Sequence, residues 1–152
     1  MRSTGIHVAV EGLDGAGKST LIDQVRQELA AEFEISEFRL PEREAIAGTN
    51  LTDIISNREK APSPSVLALA FAANRLDSYE KHIAPYLAGG ARIALSHRYV
   101  LSGLAYQSAQ GVDLQWLYSI NATVPAPRTE PLMQSLSISI VLQSRSTSRC
   151  RS

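Results

Sequence analysis

Ile6-His7-Val8-Ala9-Val10-Glu11-Gly12-Leu13-Asp14-Gly15-Ala16-Gly17-Lys18-Ser19 is the most informative stretch of this chain. It begins as a short apolar run, partly β-branched, and stops at a glycine-rich turn, the pattern of a buried strand. Residues 12–19 then match G-x-x-x-x-G-K-[ST] at every fixed position. Beyond the loop, Leu21, Ile22, Val25 and Leu29 recur on one face, which predicts a helix over residues 19–33. A glycine-rich loop between strand and helix is a phosphate cradle. Its backbone N–H groups can approach oxyanions closely, and the helix N-terminus adds unpaired donors and a positive dipole end. Lys18 is then placed to reach β- and γ-phosphates, and the Ser19 hydroxyl to bind magnesium. The bland alternative, a chance glycine turn, does not account for the full motif in this context.

The same alternation continues downstream. Residues 35–40 predict a second strand stopped by Pro41, and Leu51, Ile54 and Ile55 a short helix. Residues 57–64 are charged and proline-bearing, a loop. Ser63 and Pro64 suit the cap and first turn of a longer helix that runs to about His82, with Pro85 expected to kink or restart it. A third strand covers residues 92–96. Residues 100–110 read as helix, and Asp113 can cap another with Leu114, Trp116, Leu117 and Ile120 on its buried side. Alternating strands and helices predict an α/β fold, a parallel sheet of about four strands flanked by helices. The fourth strand is expected at residues 136–142, closing a domain over residues 1–142, and residues 143–152 are expected to be a disordered tail.

Composition excludes some classes. The chain has 152 residues, 44% apolar and 20% charged, with zero formal net charge. No global field therefore favours nucleic acid or an anionic membrane. The longest apolar stretch, residues 66–73, is too short to span a bilayer. One cysteine, Cys150, excludes an internal disulfide framework. With no secretory signal visible, a cytoplasmic protein is expected.

Three further constellations carry candidate chemistry. Pro41-Glu42-Arg43 follows the second strand, where Arg43 could grip a phosphate; on spacing alone a solvated charge cluster is the commoner reading. Phe71 and Arg75 lie four apart on the long helix and share a face, a set suited to a nucleobase, although on spacing alone a core Phe beside a surface Arg is the commoner reading. Asn74-Arg75-Leu76-Asp77 is a faint likeness of the guanine-reading N-K-x-D, but it lacks the lysine and sits on a helix. His97-Arg98-Tyr99 ends the third strand, with Arg98 a second phosphate clamp and Tyr106 either lining a sugar or base pocket or simply packing.

Taken together, "EGLDGAGKST", "RLPER", "FAANR" and "HRYVLSGLAYQ" resemble the thymidylate kinase family of P-loop nucleoside monophosphate kinases. The family's usual forms are E-G-x-D-x-x-G-K-[ST], F-P-E-R, F-[AS]-A-[DN]-R and D-R-Y-x-x-S-x-x-A-[YF], in the same order and spacing. The resemblance implies a three-layer P-loop NTPase fold and transfer of the ATP γ-phosphoryl to dTMP, giving dTDP, with Mg2+ as cofactor and a homodimer as the usual assembly. It assigns Gly12, Asp14, Gly15, Ala16, Gly17, Lys18, Ser19 and Thr20 to ATP, Ser19 also to Mg2+. It assigns Asp14, Arg43, Phe71, Arg75, Arg98 and Tyr106 to the acceptor nucleotide, and Lys18, Arg98 and His97 to the catalytic positions.

The sequence also departs from that pattern. Leu40 replaces the Phe before Pro-Glu-Arg, and His97 replaces the strand-end aspartate. Neutral imidazole is a poor magnesium ligand, and a protonated one repels the metal while attracting phosphate. A large loss of turnover with ATP binding kept is the expectation. Residues 128–152 hold seven serines, four arginines and one acid, and the resemblance fades there. The expectation is an incomplete C-terminal portion, without the family's arginine-bearing lid, last strand and final helix. The rival expectation is a nucleotide-binding remnant without catalysis, or a kinase for a related nucleoside or nucleotide.

Overall fold

A computed structural model describes residues 5–57 and 61–127. The predicted strand at residues 136–142 and the tail at residues 143–152 lie outside the described residues. Strands β1 (Ile6–Val10), β2 (Glu34–Arg39) and β3 (Arg92–His97) form a parallel sheet in the order β1-β3-β2. The middle strand β3 is the most buried, as a strand with neighbours on both sides requires. Its C-terminal residue, His97, is in register with Val10 and Arg39, so all three strand ends share one edge.

Helices cover both faces of the sheet. Helix α1 (Lys18–Leu29) places Ile22, 1% exposed, against Val10, Ile93 and Leu95. The alternate residues Ala9 and Ala94 point the other way, into a cluster with Ile83, Tyr99 and Val124. That second face is covered by α3 (Pro64–Ser78) and α4 (Ala84–Leu87), followed after the sheet by α5 (Val100–Ala109) and α6 (Leu114–Asn121). The short α2 (Gly48–Ser56) lies between β2 and α3. Among the described residues no helix is long and apolar enough to cross a membrane.

Differences from the sequence expectation have local causes. Helix α1 stops at Leu29 instead of running to Phe33, because the chain turns so that Phe33 packs on the same cluster and the Glu34 N–H reaches Ala91 O across the sheet. Pro85 does not break the long helix. A π-helical turn, Tyr79–Ile83, precedes it, and this wider turn accommodates a residue that has no N–H to donate. Leu114, expected on the buried side of α6, is 42% exposed, while Leu117 is buried and Trp116 and Ile120 pack beside it. Capping follows the sequence: Ser63 Oγ accepts from Val66 N and Asp113 Oδ1 from Trp116 N.

Candidate active site

The phosphate loop leaves β1 at Glu11 and enters α1 at Lys18. Gly15 and Gly17 have φ of 77° and 82°, a region that L side chains rarely adopt, which is why these positions are glycine. Gly17 stands at the N-cap of α1 without any side-chain cap, so the first N–H groups of the helix face the cavity in front of the loop. Lys18 Nζ folds back onto the carbonyls of Gly12 (3.1 Å) and Leu13 (2.5 Å). The Ala16 N–H closes the turn on Leu13 O. Asp14, Gly15, Gly17, Lys18, Ser19 and Thr20 line this cavity together with Arg39, Leu40, His97 and Arg98.

Arg98 lies just beyond β3 and has φ of 64°, a left-handed conformation that is costly for a side chain with Cβ. Its N–H is held by Val10 O, which fixes the turn. The guanidinium bonds the Asp14 carboxylate and Ser102 Oγ and lies 5.2 Å over the Tyr106 ring. Glu11 supports the same turn, accepting from Tyr99 N at 2.8 Å and from the Ser102 hydroxyl.

Behind Arg98 opens a second, largely apolar cavity of about 540 Å³. Phe71 and Arg75 both line it, so the shared helix face expected from their spacing is borne out. Arg75 is 4% exposed, and its Nε and Nη2 donate to Asn121 Oδ1 at 3.2 and 2.7 Å. Burial lowers its pKa to about 10, still charged at neutral pH. The guanidinium passes over Gly103, where a Cβ would meet it at 3.0 Å; only glycine leaves that approach easy. Tyr99, Ser102, Tyr106 and Gln107 complete the opposite wall from α5 and its entrance.

Arg43 is exposed and lines neither cavity. Its neighbour Glu42 is fastened instead. The fully buried Asn74 accepts from Glu42 N and donates to the carbonyls of Glu42 and Ile46, all near 3 Å. Asp77 accepts from Ile46 N. The pair Asn74 and Asp77, one helical turn's neighbours, thus ties the loop after β2 to α3 and holds Leu40 and Pro41 at the cavity wall.

His97 borders the loop cavity, but its Nε2 is bonded to Glu37 Oε2 at 2.9 Å. Glu37, on β2, also takes Arg26 at 2.6 Å and Arg39 at 3.5 Å. The hydrogen bond from His97 and then that from Arg26 hold the Glu37 carboxyl below its ordinary range against the opposing effect of burial. Sequence reasoning missed Glu11, Glu37 and Asn121, and left Asn74 without a role. Glu11 had a signal, a carboxylate at a strand end beside the loop. Asn121 had none, since 46 residues separate it from Arg75.

Comparison with known proteins points to one family. The family model described as thymidylate kinase matches residues 10–139. A probable thymidylate kinase of Pyrobaculum calidifontis is 38% identical over 120 residues, covering 79% of this chain and 59% of the relative. The thymidylate kinase of Schizosaccharomyces pombe is 30% identical over 127 residues, covering 83% and 59%. The solved thymidylate kinase of Candida albicans superposes with a TM-score of 0.68 at 26% identity, over 82% of this chain and 60% of that one. The chain thus spans about three fifths of the length of the relatives it matches. With a family match over residues 10–139 and relatives at 30% identity or more over about four fifths of its length, the chain belongs to the thymidylate kinase family.

Proposed function

We propose that the chain transfers the γ-phosphoryl of ATP to dTMP, giving dTDP. One observation carries the reading: the two cavities meet at Asp14, Leu40 and Arg98, which line both. A donor held by the phosphate loop and an acceptor held in the apolar cavity would therefore turn their phosphates toward the same arginine. Lys18 and Arg98 flank that junction and would neutralise the charge spread over the transferring group, which is most of what phosphoryl transfer requires of a protein. Phe71 offers a ring face to a base, Arg75 a fixed guanidinium to its edge, and Tyr106 the wall beside the sugar. Arg43, exposed on the loop after β2, is left as an outer cation for the monophosphate. The shape favours a flat, partly apolar nucleoside over a small polar acceptor.

Magnesium fits the donor set to a limited degree. Among the described residues no cluster of three or more His, Cys, Asp or Glu could hold a metal. Mg2+ needs few protein ligands when phosphate oxygens and water supply the others. Ser19 would hold it, and the ion would supply charge neutralisation between the phosphates. A homodimer and a cytoplasmic setting go with the same reading; exposed apolar residues on α3, α5 and α6, among them Leu69, Leu101 and Tyr118, support a face for a second copy.

The test is to follow dTDP formation with ATP and Mg2+ while measuring the binding of a non-hydrolysable ATP analogue. The expected result is dTDP formed from dTMP in preference to other monophosphates. Analogue binding without any turnover overturns the kinase reading in favour of a nucleotide-binding remnant, the alternative that the imidazole at position 97 favours.

A further inference from the structure

Resting on the acceptor cavity proposed above, we infer that Asn121, the last residue of α6, is a positioning residue that sets base specificity by aiming Arg75. Asn121 does not line the cavity; Arg75 does. Among the described residues, the hydrogen bonds of the Arg75 guanidinium both go to Asn121 Oδ1, from Nε at 3.2 Å and from Nη2 at 2.7 Å. Two bonds from one edge of a planar group fix its rotation as well as its place. The amide is itself held, because Asn121 Nδ2 donates to Leu117 O at 2.8 Å. With the amide reversed, donor would face donor.

The surroundings fit this role. Asn121 and Arg75 are both buried, so water competes little for their bonds. Leu117, one turn earlier, packs with Ala68 of α3 and Leu104 of α5, which anchors the end of α6. The chain just past the helix makes a second tie to the same cavity: Tyr99 Oη donates to Pro125 O at 3.1 Å, and Tyr99 is a lining residue. The guanidinium also runs close to Gly103, where an added Cβ would meet Nη1 at 3.0 Å and Nη2 at 3.1 Å. Arg75 is thus held by α6 at a place where α5 leaves room for it. A guanidinium only donates. Fixed at a cavity wall, it favours a base edge that offers a carbonyl oxygen, as in thymine, over one that offers an amino group, as in cytosine. Released from Asn121, it can turn, and that choice is relaxed.

The test is equilibrium binding of dTMP, dCMP and a non-hydrolysable ATP analogue to the whole chain and to Asn121→Leu and Asn121→Asp. Leucine nearly keeps the volume but removes the acceptor; aspartate keeps an acceptor oxygen. The inference expects dTMP affinity to fall about tenfold in Asn121→Leu while dCMP affinity changes much less, so that the preference for thymine shrinks. In Asn121→Asp the preference should stay within about threefold of the unaltered chain, and ATP-analogue binding within about twofold in both variants. A merely structural role weakens dTMP and dCMP alike and overturns the inference. So do an unchanged preference in Asn121→Leu and an equal loss in Asn121→Asp. Asn121→Leu strands a buried guanidinium; if it does not fold, Arg75→Met is compared with the double variant Arg75→Met, Asn121→Leu, which strands none. Equal dTMP affinity in that pair supports the inference, and a further loss of about tenfold overturns it. If the unaltered chain shows no preference for dTMP over dCMP, the acceptor reading fails and the inference with it; if it shows one that Asn121→Leu leaves intact, only the role of Asn121 fails.

Discussion

The two cavities that meet at Arg98 are built in opposite ways. The phosphate cavity is made by a contiguous loop and the first turn of the helix that follows it, with main-chain donors and Lys18 facing an open space. The apolar cavity is made by side chains from segments far apart in the chain, from Asp14 to Gln110, and one of its charged members, Arg75, is buried and held by a partner on α6. The first is robust because its recognition groups are backbone. The second depends on how four separate helices pack. A change in side chain should therefore act locally in the first cavity and spread through packing in the second.

The sharpest break of this contrast is Lys18→Ala. It removes the only side-chain cation of the loop itself and should lower phosphoryl transfer by about 10³-fold, the scale seen when one charge-stabilising donor is lost. Thermal unfolding of the variant should be nearly unchanged, since Lys18 bonds only loop carbonyls. A variant that unfolds many degrees lower would show the loop to be less self-sufficient than argued.

Next in size is an effect in the buried interior. His7 on β1 is 3% exposed, with Nε2 on Ser96 Oγ and the Tyr99 ring edge-on at 4.8 Å. Burial lowers its pKa to about 4 from an ordinary 6.5. The unfolded chain takes up this proton first, so the contribution of a neutral His7 is complete above pH 6.5 and is lost as pH falls toward 4. The loss is about 3 kcal/mol. Urea denaturation at neutral pH and near pH 4.5, compared between the natural chain and His7→Gln, reads it as a difference in slope. Equal slopes would mean that water reaches this face of the sheet.

Arg75→Met sharpens the other half of the contrast. It keeps the length of the side chain but removes charge and hydrogen bonds, and dTMP affinity should fall by about tenfold to a hundredfold. Binding of an ATP analogue should stay within about twofold, because Arg75 does not border the loop cavity. Equilibrium binding of each nucleotide decides it. The smallest expected effect is Asp113→Ala, which removes the cap of α6 and should cost about 1 kcal/mol of stability. If dTMP affinity drops with it while ATP-analogue binding does not, the packing of α6 is what aims Arg75 through Asn121.

Much of this was legible before any coordinates. Strand β1 and the loop were read from one stretch because local pattern and motif coincide there. Helix α3 was placed by its cap, its proline and its apolar spacing. The failures share a cause. The end of α1 was set by where Phe33 found a place in the core, and Leu114 of α6 was left outside it; neither depends on local periodicity. The π-helical turn before Pro85 answers a conflict between a continuous packed face and a missing N–H, and only the surrounding contacts decide for continuity over a break.

Function divides along the same line. The sequence by itself determined that an anion would be met by main-chain N–H groups and a lysine, because a turn with positive φ at glycine followed by an uncapped helix is a local property of a few residues. Only the tertiary structure decided that Asn74 would tie down the loop beside it, that Asn121 would hold Arg75, and that Glu37 would stand against His97. Those pairings join residues distant in the chain, and they exist only once the sheet order and the burial of apolar faces have brought their elements together.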